Sequence, residues 1–133
     1  MLNIFGGTYI ENCIDPRYNE LFGSGLRGAI AVSGFEIKIQ FFTIIGEDLI
    51  HNLKENCLAY NIDLFETIGQ NTFTFFYYHP LSQSYYYPEV RELQKIRIGK
   101  LDKVLMYGLL EGDFEFVAEK VVYDPQNGRL FSS

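Results

Sequence analysis

The chain has 133 residues, of which 47% are hydrophobic and 21% charged, a composition typical of one globular domain rather than a disordered segment. Its net charge of −6 argues against a nucleic-acid backbone or an anionic membrane as the main partner. With no membrane-length apolar run, no signal peptide and two cysteines, the sequence predicts a cytoplasmic protein without a disulfide framework.

The N-terminal part of the chain predicts two strands and a helix. Residues 2–5 form a short buried strand, and residues 8–14 alternate like a second one. Residues 15–22 are polar and turn-like. Ser24 is then predicted to cap a helix that runs to about Ser33.

The middle of the chain continues the alternation of strands and helices. Residues 36–45 become apolar throughout, which is the pattern of a strand buried on both faces of a parallel sheet. Residues 47–60 give the clearest helix, with Glu47 and Asp48 in its first turn, and residues 62–67 start the next strand. The order strand, helix, strand, helix, strand predicts an open α/β sheet of three or four parallel strands with flanking helices.

The C-terminal part predicts a hairpin followed by short elements. Residues 71–78 and 84–87 look like an antiparallel hairpin that lies off the main sheet. The remaining segments are a charged, weakly periodic stretch at 89–103, a strand at 104–107, a helix or loop at 111–120 and a last strand at 121–123. The sequence therefore predicts a single domain over 1–133, and we expect its last strand to leave one sheet edge open.

A glycine-rich turn precedes the first predicted helix. Gly23-Ser24-Gly25-Leu26-Arg27-Gly28 matches the G-x-G-x-x-G pattern, in which backbone N–H groups and a helix N-terminus hold the pyrophosphate of a dinucleotide. That interpretation needs a strand directly before Gly23, where the sequence is turn-like. Dinucleotide binding is therefore the least favoured interpretation of the turn.

Read with its neighbours, the same turn resembles the ribokinase/PfkB family of carbohydrate kinases. The resemblance rests on the order of several features along nearly the whole chain: Gly6-Gly7 after the first strand, an acid at Glu11, the turn Gly23-Ser24-Gly25, Gly46-Glu47-Asp48, the hairpin at 72–87, and residues 121–127. It implies the N-terminal half of a ribokinase-like fold, an open and mostly parallel sheet with an antiparallel lid. The lid would comprise residues of about 8–14 and 71–88.

The resemblance also implies a sugar-binding site. In the family the first acid and the glycine turn bind sugar hydroxyls, which places the substrate at Glu11, Gly23, Ser24, Gly25 and Arg27. The chain departs from the family where Glu11 stands for an aspartate, Phe22 for a glycine and Arg27 for an asparagine. Because arginine only donates hydrogen bonds, either the ligand differs and carries an anionic group, or the pocket no longer binds sugar. Alternatively, Arg27 forms a structural ion pair or is simply exposed.

The hairpin concentrates five tyrosines, namely Tyr77, Tyr78, Tyr85, Tyr86 and Tyr87. They could close over a sugar or a base, or they could pack on a second subunit, where tyrosine is favoured. Strand alternation puts about half of them on either face. Packing on a second subunit ranks first of the two interpretations.

The chain lacks the family's catalytic motif. Kinases of this family carry their base in a late Gly-x-Gly-Asp motif at a helix N-terminus, close to the ATP site, whereas the string Gly108–Asp113 stands early and before a strand. Asp124 ends a predicted strand and belongs to a turn or to the cleft. We therefore expect no catalytic residue and no metal ligand in this chain, and the ATP and Mg²⁺ that the family implies would bind elsewhere.

Two functions remain. The chain is the substrate-binding and lid portion of an ATP-dependent sugar or nucleoside kinase, which transfers phosphate to a hydroxyl only when completed by a C-terminal half. Alternatively, it is a catalytically inactive, kinase-derived module for binding or oligomerisation. The expected protein partners are a second polypeptide that supplies the other half, or another copy that packs on the lid.

Overall fold

A computed structural model describes residues 1–125 of the protein. The strands are β1 Leu2–Phe5, β2 Tyr9–Cys13, β3 Tyr18–Phe22, β4 Ile39–Ile45, β5 Asp63–Ile68, β6 Thr74–Tyr77, β7 Ser84–Tyr87, β8 Gln94–Tyr107 and β9 Gly112–Asp124, and the helices are α1 Ser24–Val32 and α2 Ile50–Ala59. Gln126 and Asn127, which belong to the late segment that resembles the kinase family, lie outside the described residues. Within residues 1–125, neither α1 nor α2 is long and apolar enough to cross a membrane.

Five parallel strands form the main sheet, in the order β5-β4-β1-β8-β9. β1 lies in the middle, with Ile4 opposite Phe41 of β4 and Leu105 of β8. Crossovers through α1 and α2 make β1, β4 and β5 parallel, as the alternating order predicts. The predicted α/β class is confirmed, with five parallel strands where three or four were expected.

The two helices cover one face of this sheet. The buried residues there are Ile4, Leu26, Ala29, Ile39, Phe41, Ile45, Leu53, Cys57 and Ile62. From α2, Leu53 and Cys57 are almost fully buried against the sheet. Burial raises the pKa of the Cys57 thiol to about 12, as expected for a packed thiol without reactivity.

The first half of β8 and part of β9 cover the opposite face. β8 begins at Gln94, whose amide donates to the carbonyl of Ile68 at the end of β5, and it ends beside Phe5 at the end of β1. Both ends of β8 therefore lie at the carboxyl edge of the sheet. A straight strand of this length would span roughly 45 Å, so β8 must turn back, and the register shift between Arg97 and Lys100 marks the bend.

An aromatic cluster fills the space under these turned strands. Its buried members are Phe5, Phe42, Ile44, Val104 and Phe114, and Ile96, Ile98, Leu101 and Phe116 pack against them. The ring of Phe5 lies 4.6 Å from that of Phe42, 4.9 Å from Phe114 and 4.7 Å from Phe116, measured between centroids. A doubly wound fold has helices on both faces of its sheet, whereas strands cover the second face here.

The structure corrects the predicted elements at several positions. Residues 111–120 were expected as a helix or loop, and residues 112–120 are strand, because Phe114 and Phe116 repeat every second residue and both reach the aromatic cluster. β3 was not predicted, since its polar side chains hide the strand pattern. β9 also extends the last predicted strand, 121–123, by nine residues toward the N-terminus.

Both helices start differently from the prediction. Gly23 is the N-cap of α1 and Ser24 its first residue, with no side-chain capping bond. α2 begins at Ile50, so Glu47 and Asp48 precede the helix rather than occupying its first turn. Asp48 instead accepts hydrogen bonds from the backbone N–H and hydroxyl of Thr72, which tie the end of β4 to the start of the hairpin.

A second sheet of four strands has the order β3-β2-β6-β7. It consists of two antiparallel hairpins, β2–β3 and β6–β7, which are joined by the parallel pair β2–β6. The predicted hairpin is confirmed as β6–β7, with Thr74 opposite Tyr87 and Tyr77 opposite Ser84. The segments expected to form a lid therefore lie in one sheet.

Candidate functional site

A cleft of about 940 Å³ lies between the inner face of the four-stranded sheet and the carboxyl edge of the main sheet. Its walls include Glu11 of β2, Arg27 of α1, Tyr77 of β6 and Tyr123 of β9. Ligands of open α/β proteins collect at the carboxyl ends of the strands, where the loops converge. The size of the cleft matches the usual range for small-molecule sites.

The glycine turn brings two backbone segments into contact at the base of this cleft. Gly23 has φ 86°, and a Cβ on it would lie 2.6 Å from the carbonyl oxygen of Gly7. A Cβ on Gly25 would lie 2.5 Å from the carbonyl carbon of Gly6. The N–H of Gly25 also donates to the carbonyl of Gly7 at 3.1 Å. The turn thus fixes the start of α1 against the end of β1.

Glu11 and Arg27 form a two-point ion pair beside this turn. Nη2 of Arg27 donates to Oε1 of Glu11 at 2.6 Å, and Nε donates to Oε2 at 3.2 Å. The N–H of Gly23 donates to the same Oε2 at 3.0 Å. Hydrogen bonding to Glu11 raises the pKa of Arg27 further above its usual value. The sequence left three roles open for Arg27: contact with an anionic ligand, a structural ion pair, or an exposed side chain. The structure contains the ion pair.

Phe22 supports the guanidinium of Arg27 from one side. The central carbon of the guanidinium lies 3.9 Å from the centre of the Phe22 ring, in cation–π contact. Two of the three departures from the family pattern, Phe22 and Arg27, are therefore packed on each other. Glu11, Gly23, Ser24 and Arg27 all line the cleft, whereas Gly25 is used for backbone packing on Gly6.

The five hairpin tyrosines divide between two environments. Tyr77 and Tyr86 line the cleft together with Tyr18 of β3. Tyr78, Tyr85 and Tyr87 do not line the cleft and are 67%, 68% and 70% exposed, whereas Tyr86 is 36% exposed. Burial and the charge of Glu11 raise the pKa of Tyr77. The division follows the strand alternation in β6 and β7, as the sequence predicted.

A buried carboxyl, Glu111, lies behind the cleft and was not anticipated from the sequence. It is 3% exposed, in the loop between β8 and β9. The hydroxyl of Tyr9 donates to its Oε1 across 3.5 Å and accepts from the N–H of Leu110 at 2.9 Å. Burial raises the pKa of Glu111 to about 8, so the carboxyl is largely protonated at neutral pH.

The string Gly108–Asp113 lies in this same loop region and leads into β9, which confirms that it does not stand before a helix. Asp113 is exposed at the wall of the cleft, where its Oδ1 accepts from the N–H of Phe114 at 2.9 Å. Asp124 ends β9, and its backbone carbonyl accepts from the N–H of Gly108. In residues 1–125 no three His, Cys, Asp or Glu side chains converge as they would around a metal ion.

No family model matches the chain, and no curated protein matches it either. Solved structures do match. A pyrophosphate-dependent kinase in the ribokinase family, complexed with a pyrophosphate analog and myo-inositol, is 12% identical with a TM-score of 0.59, over 85% of this chain and 42% of that one. An uncharacterized sugar kinase from Pyrococcus horikoshii in complex with ATP is 14% identical with a TM-score of 0.59, over 80% and 43%.

A mutant of phosphofructokinase-2 from Escherichia coli is 9% identical with a TM-score of 0.52, over 90% of this chain and 54% of that one. The chain thus spans roughly half, or less, of the length of these kinases. At such identities the likeness shows the fold alone. The chain has the fold of part of a ribokinase-like kinase.

Proposed function

We propose that the chain is the substrate-binding and lid portion of a ribokinase-like sugar or nucleoside kinase, which transfers phosphate to a hydroxyl once a C-terminal half completes it. The observation that carries this proposal is the convergence of Glu11, the glycine turn and the inner lid tyrosines on one cleft at the carboxyl edge of the parallel sheet. Such convergence of polar groups in a concave site is the usual basis for a ligand-site hypothesis.

The chemistry of the cleft suits a polyhydroxyl ligand. Ser24 and Asp113 offer acceptors and a hydroxyl donor along its walls. Phe75, Tyr77 and Tyr86 present aromatic faces from the four-stranded sheet, on which the apolar face of a sugar or a base can pack. The second sheet would act as the lid that closes over this ligand.

The outer edge of β9, with which no strand of residues 1–125 pairs, supports completion by further protein. Val117, Val121, Val122 and Tyr123 are 64%, 48%, 66% and 55% exposed. Val121 and Val122 are adjacent and so point to opposite faces of the sheet, which leaves both faces apolar and open at this edge. An edge strand of this kind is a surface on which another strand or helix packs.

The described residues do not suit the nucleotide and magnesium that the kinase fold implies. Phosphoryl transfer needs a positioned base, charge neutralisation and a nucleotide site. Within residues 1–125 no acidic or histidine cluster is suited to a metal, and the string Gly108–Asp113 leads into a strand rather than a helix. ATP and Mg²⁺ would therefore be held by the second half, which would also supply the base.

Calorimetry on the isolated chain tests the proposal. We expect a subset of sugars or nucleosides to bind, and we expect no turnover when ATP and magnesium are added. Glu11→Ala should abolish binding, whereas Glu55→Ala, at an exposed position of α2, should not change it. Failure of every sugar and nucleoside to bind would contradict the substrate role, and turnover by the chain alone would contradict the need for a second half.

The outer face of the four-stranded sheet favours the second candidate, an inactive assembly module. Phe76, Tyr85 and Tyr87 are 41%, 68% and 70% exposed on this face. If the module has lost its ligand, tight self-association should occur without any small molecule, and Tyr85→Ser with Tyr87→Ser should abolish it. Sedimentation velocity distinguishes this outcome from ligand binding to a monomer.

A further inference from the structure

The Glu11–Arg27 pair leaves more hydrogen-bond donors than acceptors for a ligand. A carboxylate has about four acceptor sites, and three bonds already reach Glu11, from Nη2, Nε and the N–H of Gly23. A guanidinium has five N–H donors, of which Glu11 takes two. Arg27 therefore retains three donors, while Glu11 retains about one acceptor site.

The remaining donors are held in a fixed orientation at the wall of the cleft. Glu11 holds one edge of the guanidinium, and the ring of Phe22 lies against one of its faces. The Arg27 side chain is still 48% exposed, and it lines the cleft. A planar, immobilised guanidinium with a free edge matches a group with two oxygens, since both bonds form without further loss of side-chain freedom.

The other charges of the cleft limit the charge of the ligand. The pair of Glu11 and Arg27 is formally neutral, and Asp113 adds a negative charge to the same cleft. A dianionic phosphate would meet these carboxylates at a high electrostatic cost, whereas a carboxylate carries a single charge. Asp113 also supplies an acceptor for hydroxyl groups elsewhere on the ligand.

We propose that the cleft selects a sugar acid, a polyhydroxyl ligand whose carboxylate accepts a two-point hydrogen bond from the free edge of Arg27. Its hydroxyl groups lie toward Ser24 and Asp113. This inference rests on the proposed function and narrows its substrate class. It also gives a role to the arginine that stands where the family has asparagine, because asparagine can both donate and accept, whereas arginine only donates.

Matched ligand pairs test the inference in calorimetry: gluconate against sorbitol, and glucuronate against glucose. We expect at least one acid to bind roughly tenfold or more tightly than its neutral partner, the size of a charge-assisted pair of hydrogen bonds. Arg27→Gln should remove this preference. Arg27→Lys should restore it only in part, because an ammonium keeps the charge and loses the planar fork.

Two further variants control for folding and for bulk charge. The double variant Glu11→Gln with Arg27→Gln leaves no unpaired carboxylate, and it should lose the acid preference while thermal unfolding stays cooperative. Arg17→Gln, in the exposed turn between β2 and β3, removes a positive charge outside the cleft and should leave the preference intact.

The outcomes separate this inference from the function on which it rests. Neutral sugars that bind as tightly as their acids would overturn the inference and leave the substrate-binding function standing. An acid preference that survives Arg27→Gln in a folded variant would also overturn it. Absence of binding by every acid and every neutral sugar or nucleoside would overturn both.

Discussion

At the residue scale, Glu111 is the group whose ionisation opposes the fold. Its folded pKa of about 8 lies above that of an unfolded glutamate, near 4.5, because burial penalises the charged form. Between these two values the folded chain binds more protons than the unfolded chain does. Glu111 therefore makes its full contribution to the free energy of unfolding below about pH 4.5. This contribution decreases as the pH rises and is lost as the pH passes through about 8.

Glu111→Gln should remove this pH dependence. Because the amide does not ionise, the variant should gain stability relative to the wild type as the pH rises from 5 to 9, by an amount on the order of a few kcal/mol. Urea unfolding at pH 5, 7 and 9 measures the difference. Glu36→Gln, at an exposed position, is the matched control, and its free energy of unfolding should depend on pH in the same way as that of the wild type. If the free energy of unfolding of Glu111→Gln also followed the pH dependence of the wild type, the carboxyl of Glu111 would not be neutral in the folded state.

Gly23 is the second residue whose role depends on its surroundings. Gly23→Ala places a Cβ 2.6 Å from the carbonyl oxygen of Gly7 on a backbone with φ 86°. We expect a loss of roughly 1–3 kcal/mol of stability and a disturbed cleft. In contrast, Gly34→Ala meets no atom within 4 Å and should be neutral or slightly stabilising. Equal midpoints of chemical denaturation for Gly23→Ala and Gly34→Ala would contradict the strain expected at Gly23.

At the scale of elements, β8 and β9 decide how the second face of the main sheet is covered. Ile96 and Ile98 turn inward from β8, while Lys95 and Arg97 point outward to Glu115 of β9. The charged side chains explain why this stretch predicts no clear element. Ile96 and Ile98 identify the stretch as a strand only once their packing against the aromatic cluster of Phe5 is known.

Neighbouring positions of β9 test this arrangement. Phe116→Ala removes a ring whose centroid lies 4.7 Å from that of Phe5, and we expect a loss of roughly 2–4 kcal/mol. Val117→Ala changes a side chain that is 64% exposed and should cost less than about 0.5 kcal/mol. Urea unfolding of both variants measures the contrast. Similar costs at the two positions would be inconsistent with a strand that alternates between core and solvent.

At the scale of the whole molecule, two sheets enclose the cleft, and no strand within residues 1–125 pairs with the outer edge of β9 in the larger sheet. This edge combines open backbone hydrogen-bonding groups with apolar side chains on both faces. Such an edge should make the isolated chain associate at high concentration. The same surface would become buried on addition of a completing half.

Val122→Lys tests the edge. The substitution puts a charge on a side chain that is 66% exposed, so we expect weaker self-association with little change in the thermal midpoint. Val104→Lys, at a position 3% exposed in the same sheet, should instead unfold the protein. Size-exclusion chromatography over a range of concentrations, together with thermal unfolding, gives both readouts. Self-association that is unchanged by Val122→Lys would place the contact on another surface.

The sequence by itself determined the order of β1, α1, β4, α2 and β5, the β6–β7 hairpin and the division of its tyrosines between two faces. These features depend on local periodicity and turn residues, so a short window of residues contains the signal. It also proposed a site at Glu11, Arg27 and the glycine turn through a resemblance rather than through any contact, and Glu11, Gly23 and Arg27 line one cleft in the structure.

Only the tertiary structure decided the remainder. The strand character of residues 112–120 depends on the aromatic cluster of Phe5, which comes from three distant parts of the chain. The ion pair joins Glu11 to Arg27, sixteen positions away in sequence, and the hydrogen bond of Tyr9 with Glu111 spans 102 positions. The physical reason is that burial and pairing of charges are properties of the packed molecule, and they set which carboxyl is neutral and which arginine edge stays free.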